Sequence, residues 1–197
     1  MALWDVHLRG RRERGWRRRP HLYSTAAILA TRIDDSGDVW AKGMLVIEVE
    51  SSREIRASRE AVWRHLTRAP EWYRWYPGLH GTTASESITS EGHRFRATGQ
   101  MGRMLYRGEQ EVVSYQLLQE IAFDGARKPW LSAVRTVIRL EPSSPNCRVV
   151  IEFSAQPGFS FPGRLLLTGT LRRRLQDEAD AFTERLASFV EYTMPHH

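Results

Sequence analysis

Residues 55–79 read IRASREAVWRHLTRAPEWYRWYPGL, and the local signals in this stretch organise the rest of the chain. Ser58 stands before REAVWRHLT, and a serine hydroxyl can accept from a free amide of a helix's first turn. Val62 and Leu66 are four apart, with Trp63 beside them. That predicts a short helix over Arg59–Thr67. Pro70 suits the first position of a second short helix, where a missing N–H costs nothing. Pro77-Gly78 ends it. Within it Trp72, Trp75 and Tyr76 lie at i, i+3 and i+4 and share a face. Four of the nine residues 71–79 are aromatic, against seven Trp and six Tyr in all 197 residues. Such a cluster could stack bases, anchor at a membrane interface or wall an apolar pocket.

Upstream, MLVIEVESSREIRA (Met44 to Ala57) is rich in β-branched residues and alternates at its start, as a strand does. Downstream, from Leu79 to Pro157, the period becomes two. Strands are predicted near 80–88, 93–101, 104–114, 118–126, 131–141 and 147–156. Their turn signals are Ser90–Gly92, Gly102-Arg103, Arg127–Pro129 and Pro142–Asn146. Short connections imply antiparallel neighbours. The last strand alternates most clearly: Val149, Ile151, Phe153 and Ala155 on one face, Arg148, Glu152 and Ser154 on the other, interrupted by Val150. From Pro162 to Tyr192, Leu171, Leu175, Glu178/Ala179, Phe182, Leu186 and Phe189 recur at steps of three and four. This is a long amphipathic helix, with Gly169 a candidate bend.

The order (strand, two short helices, six antiparallel strands, long helix) resembles the polyketide cyclase/dehydrase and lipid-transport superfamily, the START-like (SRPBCC) helix-grip proteins that include the birch-pollen allergens. The resemblance covers about residues 44–192. It rests on residues 55–79, on the alternating sheet and on Leu171–Glu191. It implies an α+β fold: a curved seven-stranded antiparallel sheet wrapped around the C-terminal helix, with an apolar cavity between them. Members bind lipids, polyketides, hormones or quinones, and some catalyse cyclisation or dehydration. Fold does not choose among these.

The inward strand faces are expected to carry His93, Phe95, Ala97, Gly99 and Met101, then Tyr106, Gly108, Gln110 and Val112. Ile121 and Phe123 continue them, followed by Trp130, Ser132, Val134, Thr136 and Ile138. Apolar walls with a few fixed polar groups are how small-molecule sites are built. The expected ligand-binding set is Trp72, Trp75, Tyr76, Phe95, Ala97, Met101, Tyr106, Gln110, Val112, Phe123, Trp130, Val134, Thr136, Ile138, Phe153, Phe161, Leu171 and Leu175. Phe159 and Phe161, in the hinge GFSFPG before the helix, could cover the cavity mouth. His93, Tyr106 and Gln110 could orient a carbonyl or hydroxyl, or simply be rim or satisfied core polar groups. An acid–base reaction would use His93 with Tyr106 polarising an oxygen. Arg135, on the opposite strand face, is expected to be solvated. Cys147 has no adjacent base that would make it a nucleophile. The seven histidines form no zinc spacing, and no nucleotide-binding or nucleophile-elbow motif occurs, so no metal or cofactor is expected.

The net charge of +6 suggests an anionic partner until it is located. Residues 1–33 hold eight Arg and two acids, and the remaining residues are balanced. Residues 1–43 are read as a basic, unfolded arm that could meet RNA or anionic lipid weakly, or that lies upstream of a start at Met44. The body, 44–192, is not expected to bind nucleic acid, and 193–197 reads as a tail. Ser24, Thr25 and Thr31 dilute the apolar segment after the arginines, so it matches a secretory signal poorly. With one cysteine and no apolar run of about 18 residues, the chain is read as cytoplasmic, a monomer or homodimer. Base stacking needs a positive groove, and only Arg68 and Arg74 lie near the aromatics. The cluster therefore reads as a pocket wall, with Tyr73 nearer its entrance. Binding of a hydrophobic molecule, as carrier or sensor, is the leading function. A cyclase or dehydratase in the same cavity, and an RNA- or membrane-surface role for the arm, are the alternatives.

Overall fold

A computed structural model describes residues 46–84, 86–101, 104–125, 131–158 and 161–193. The elements are β1 (Ile47–Ile55), α1 (Arg59–Thr67), a 3-10 turn (Ala69–Arg74), β2 (Leu79–Thr82), β3 (Arg94–Met101), β4 (Met104–Gln116), β5 (Glu120–Gly125), β6 (Leu131–Ser143), β7 (Asn146–Pro157) and α2 (Phe161–Thr193). The seven strands form one curled antiparallel sheet in the order β1-β7-β6-β5-β4-β3-β2. The first and last strands in space are thus the two that flank the short helices in sequence. Between β1 and β2 the chain runs through α1 and the 3-10 turn.

Local chemistry accounts for the boundaries. The Ser58 hydroxyl accepts from the Ala61 amide at 3.3 Å and opens α1. Val62, Trp63 and Leu66 are buried on the inner face of α1. The long helix α2 packs on β1 and β7 through Leu171, Leu175, Ala179, Phe182, Leu186 and Val190, all buried. It runs through Gly169 without a break and includes Thr193, whose hydroxyl donates to the Phe189 carbonyl at 2.9 Å. On the outer sheet face, cross-strand ion pairs sit in register: Arg94 with Glu111 at 2.9 Å and Arg96 with Glu109 at 3.1 Å.

Several expectations need correction. The second helix is a six-residue 3-10 turn that ends before Trp75. The amides of Trp75 and Tyr76 nevertheless both donate to the Trp72 carbonyl, at 3.1 and 2.7 Å, so the three rings stay grouped. The strand expected at 80–88 is four residues long, and Ile88 reaches the core from a loop. Two β-bulges, between Val112 and Ser114 and between Leu131 and Ala133, reverse the alternation. A single extra residue turns every following side chain to the other face. Hence Ser132 is exposed, and Leu131 takes the inward position. Tyr115 packs edge-on against Trp63, with ring centroids 5.4 Å apart. Arg135 is not solvated: its guanidinium forms a two-pronged pair with Asp124, and only 14% of its side chain is exposed. Val150 is buried because it lies in register between Ser52 and Arg139. The arm, Trp130, Phe159 and the turns at 102–103 and 127–129 lie outside the described residues, as do the side chains of Met101 and Phe161.

Candidate functional site

The aromatic stretch is pinned at both ends. The Trp72 indole N–H donates to the Leu66 carbonyl at 3.0 Å, tying the 3-10 turn to the end of α1. The Thr82 hydroxyl donates to the Ala69 carbonyl at 3.0 Å, and the Gln100 amide to the Gly78 carbonyl at 2.7 Å. Between these anchors Trp72 packs edge-on against Phe95 (5.5 Å) and Phe123 (5.3 Å) of the sheet. Trp75 and Tyr76 pack edge-on against Phe182 of α2, at 5.2 and 5.1 Å. The rings therefore bridge sheet and helix. Each such pair adds about 0.5–1.5 kcal/mol beyond the area it buries. Tyr73 points outward and is 56% exposed.

Behind this wall is a cavity of about 40 Å³, lined by Trp72, Trp75, Tyr76, Leu79, Ala97, Tyr106, Gln110, Phe123, Val134, Thr136, Ile138 and Phe182. A buried water takes about 10–15 Å³ on this measure, so the space holds about three. It is far below the roughly 300 Å³ of a pocket for a drug-sized ligand. Among the described residues, the rings of Trp72, Trp75, Tyr76, Phe123 and Phe182 close in on this space.

Two glycines shape its polar part. Tyr106 pairs with Gly99 across β3 and β4, and a Cβ on Gly99 would fall 2.7 Å from the Tyr106 hydroxyl oxygen. Gln110 pairs with Gly125, and a Cβ there would fall 1.9 Å from Gln110 Oε1. Each polar side chain thus folds over a cross-strand neighbour that has no side chain of its own. Burial, aided by the charge of Glu178, pushes the Tyr106 phenol up to about 12. Burial, then Glu178 and Tyr106, hold the Tyr76 phenol well above its ordinary range. Both phenols stay protonated at neutral pH and can donate hydrogen bonds. The Trp75 indole nitrogen is buried, and no protein group accepts from it among the described residues.

Of the expected ligand-binding residues, ten line the cavity: Trp72, Trp75, Tyr76, Ala97, Tyr106, Gln110, Phe123, Val134, Thr136 and Ile138. Phe95, Val112, Phe153, Leu171 and Leu175 are buried core residues that do not line it. Leu79 and Phe182 were not expected there, although Phe182 falls on the apolar stripe of α2. His93 and Tyr106 are not brought together. His93 adjoins Arg94, which pairs with Glu111, whereas Tyr106 pairs with Gly99. Six residues of strand, roughly 20 Å, separate them. His93 instead leans on the Phe95 ring at 6.0 Å. Cys147 is buried, and burial pushes its thiol up to about 11. Among the described residues no group of His, Cys, Asp and Glu could hold a metal ion, and no helix is long and apolar enough to cross a membrane.

The raised thiol and phenol give a pH prediction. Above about pH 9 the unfolded chain releases protons from Cys147 and Tyr106 that the folded chain still holds. Stability should therefore fall as pH rises from about 9 to about 12. Urea unfolding at stepped alkaline pH measures it, and Tyr106→Phe should flatten the upper part of the decline.

A sequence model for the family described as polyketide cyclase / dehydrase and lipid transport matches residues 46–191. The chain belongs to that family. Among solved structures it is similar to the Zhui aromatase/cyclase from Streptomyces sp. R1128, at 11% identity and a TM-score of 0.64 over 74% of this chain and 94% of that one. It is also similar to a START superfamily protein from Mycobacterium smegmatis (13% identity, TM-score 0.54, 72% and 98% covered). A third similar structure is Ara h 8.0201 (9% identity, TM-score 0.56, 75% and 99% covered). At these identities the likeness shows the helix-grip fold and no more. No curated protein matches the chain by sequence.

Proposed function

We propose that the chain binds a hydrophobic small molecule (a lipid, polyketide, quinone or similar) between the sheet and α2, as a carrier or sensor. The observation that carries this is the apolar cavity with Tyr106, Gln110 and Thr136 converging on it. Few polar groups in an apolar lining orient a ligand without making the site wet. A ligand larger than a few waters enters when the wall of Trp72, Trp75 and Tyr76 moves outward from Phe182. The closed wall leaves the Trp75 N–H without a protein acceptor, which costs about 1–3 kcal/mol if nothing else accepts it. A ligand oxygen accepting from it would favour the open, occupied form.

Catalysis in the same cavity is less well supported. A general acid or base works best with a pKa near the working pH. His93 is outside the cavity, and Tyr106 is pushed to about 12. We place the protein in the cytoplasm, in keeping with its single, buried cysteine.

The test is a fluorescence titration with N-phenyl-1-naphthylamine, a neutral apolar dye. Saturable binding at one site is expected, and residues 44–197 should bind it as the full chain does. Absence of dye uptake up to its solubility limit would refute the cavity reading. A fragment that folds but no longer binds would show that the arm takes part.

A further inference from the structure

The two tryptophans of the wall differ in one respect. The Trp72 indole N–H donates to the Leu66 carbonyl. Trp75 is 2% exposed, and its backbone amide donates to the Trp72 carbonyl, but its indole N–H meets no acceptor among the described residues. Its ring is packed by the rings of Trp72, Tyr76 and Phe182, and all four residues line the cavity. Buried donors in folded proteins are nearly always bonded, so one left over calls for a partner. An indole nitrogen can only donate, and whatever completes it must accept. The Gln110 amide and the Thr136 hydroxyl, on the sheet side of the same cavity, can each donate or accept and make no such demand. Among the described residues no charged side chain lines the cavity. A carboxylate acceptor would therefore be buried there without a counter-charge. The partner that fits Trp75 is an uncharged oxygen.

We propose that Trp75 is the specificity-determining residue of the cavity, its indole N–H donating to a carbonyl oxygen of the bound molecule. This rests on the binding reading above and names the group by which the ligand is selected: a ketone or quinone carbonyl on an apolar skeleton. A carbonyl oxygen offers two lone pairs and brings no proton that needs a partner of its own. A hydrocarbon of the same shape fills the space and leaves the indole N–H as it was.

The test displaces N-phenyl-1-naphthylamine from the full chain with α-tetralone and with tetralin, two bicyclic molecules of nearly one shape that differ by a carbonyl. Each affinity is referred to the compound's own partition from water into hexadecane, which removes the plain effect of apolar burial. On that scale α-tetralone is expected to bind at least about tenfold more tightly than tetralin, the worth of one hydrogen bond. Trp75→Phe keeps a ring against Phe182 and has no indole N–H. It should remove most of that advantage while changing tetralin affinity little, with thermal melting checking that the variant is folded. A second readout needs no variant. In a ¹H–¹⁵N spectrum the Trp75 indole signal, assigned by its through-space contacts to Phe182, should move downfield with α-tetralone and not with tetralin. Equal referred affinities in the unaltered protein would overturn the proposal. So would a folded Trp75→Phe protein that keeps the ketone advantage, or a Trp75 indole signal that responds alike to both compounds. If neither the dye nor tetralin binds, the binding reading fails and this proposal with it. If both bind and the ketone gains nothing, only the role of Trp75 fails.

Discussion

Replacing Trp72 with alanine should destabilise the protein by about 3–5 kcal/mol. In a chain of this size that lowers Tm by roughly 6–20 °C. Trp72 is 6% exposed and touches four other rings: Trp75, Tyr76, Phe95 and Phe123. Its removal takes away the bridge between the 3-10 turn and the sheet, and strands the Leu66 carbonyl that accepts its indole N–H. Trp72→Phe keeps a ring and loses that hydrogen bond, so it should cost only about 1–2 kcal/mol. Chemical denaturation of the two variants separates packing from hydrogen bonding. A loss below 1 kcal/mol for Trp72→Ala would mean that the aromatic wall is not integral to the core.

Gly78→Ala should be comparably damaging, by about 3 kcal/mol, for a different reason. Gly78 has φ +68°, a left-handed conformation that costs an L-residue about 1–2 kcal/mol. A Cβ there would also fall 2.3 Å from the Gln100 carbonyl oxygen, which is backbone and cannot swing away. Overpacking of this kind adds about 1–3 kcal/mol. The facing residue is constrained too, since a Cβ on Gly99 would meet the Gly78 carbonyl at 2.5 Å. Two glycines thus let the end of the aromatic stretch lie against β3. The measurement is again denaturant unfolding, read with tryptophan fluorescence. Gly81→Ala, where a Cβ meets open space, serves as the control and should be nearly neutral. Equal losses at Gly78 and Gly81 would contradict the close-approach account.

Much of this was legible in the sequence because the signals were local. Ser58 and the Val62–Leu66 spacing define α1 to the residue, and the period-two run and the α2 stripe give a sheet and its covering helix. What was not legible depends on long-range register. The bulges at Val112/Ser114 and Leu131/Ala133 leave no composition signal, yet they decide that Leu131 faces inward and Ser132 does not. The separation of His93 from Tyr106 follows from which residues pair across β3 and β4, which neither strand's own alternation reveals. Cavity size was least legible, because it depends on how Trp75, Tyr76 and Phe182 stack, not on which faces they occupy.

The central claim is that a hydrophobic ligand enters between sheet and helix by moving the aromatic wall. The seven tryptophan indole N–H groups give separate reporters in an ¹H–¹⁵N NMR spectrum. On titration with N-phenyl-1-naphthylamine, the Trp72 and Trp75 signals are expected to shift most and to saturate together, with the Trp75 signal moving as its N–H gains an acceptor. Unchanged Trp72 and Trp75 signals in the presence of bound dye would place the ligand elsewhere and contradict the account.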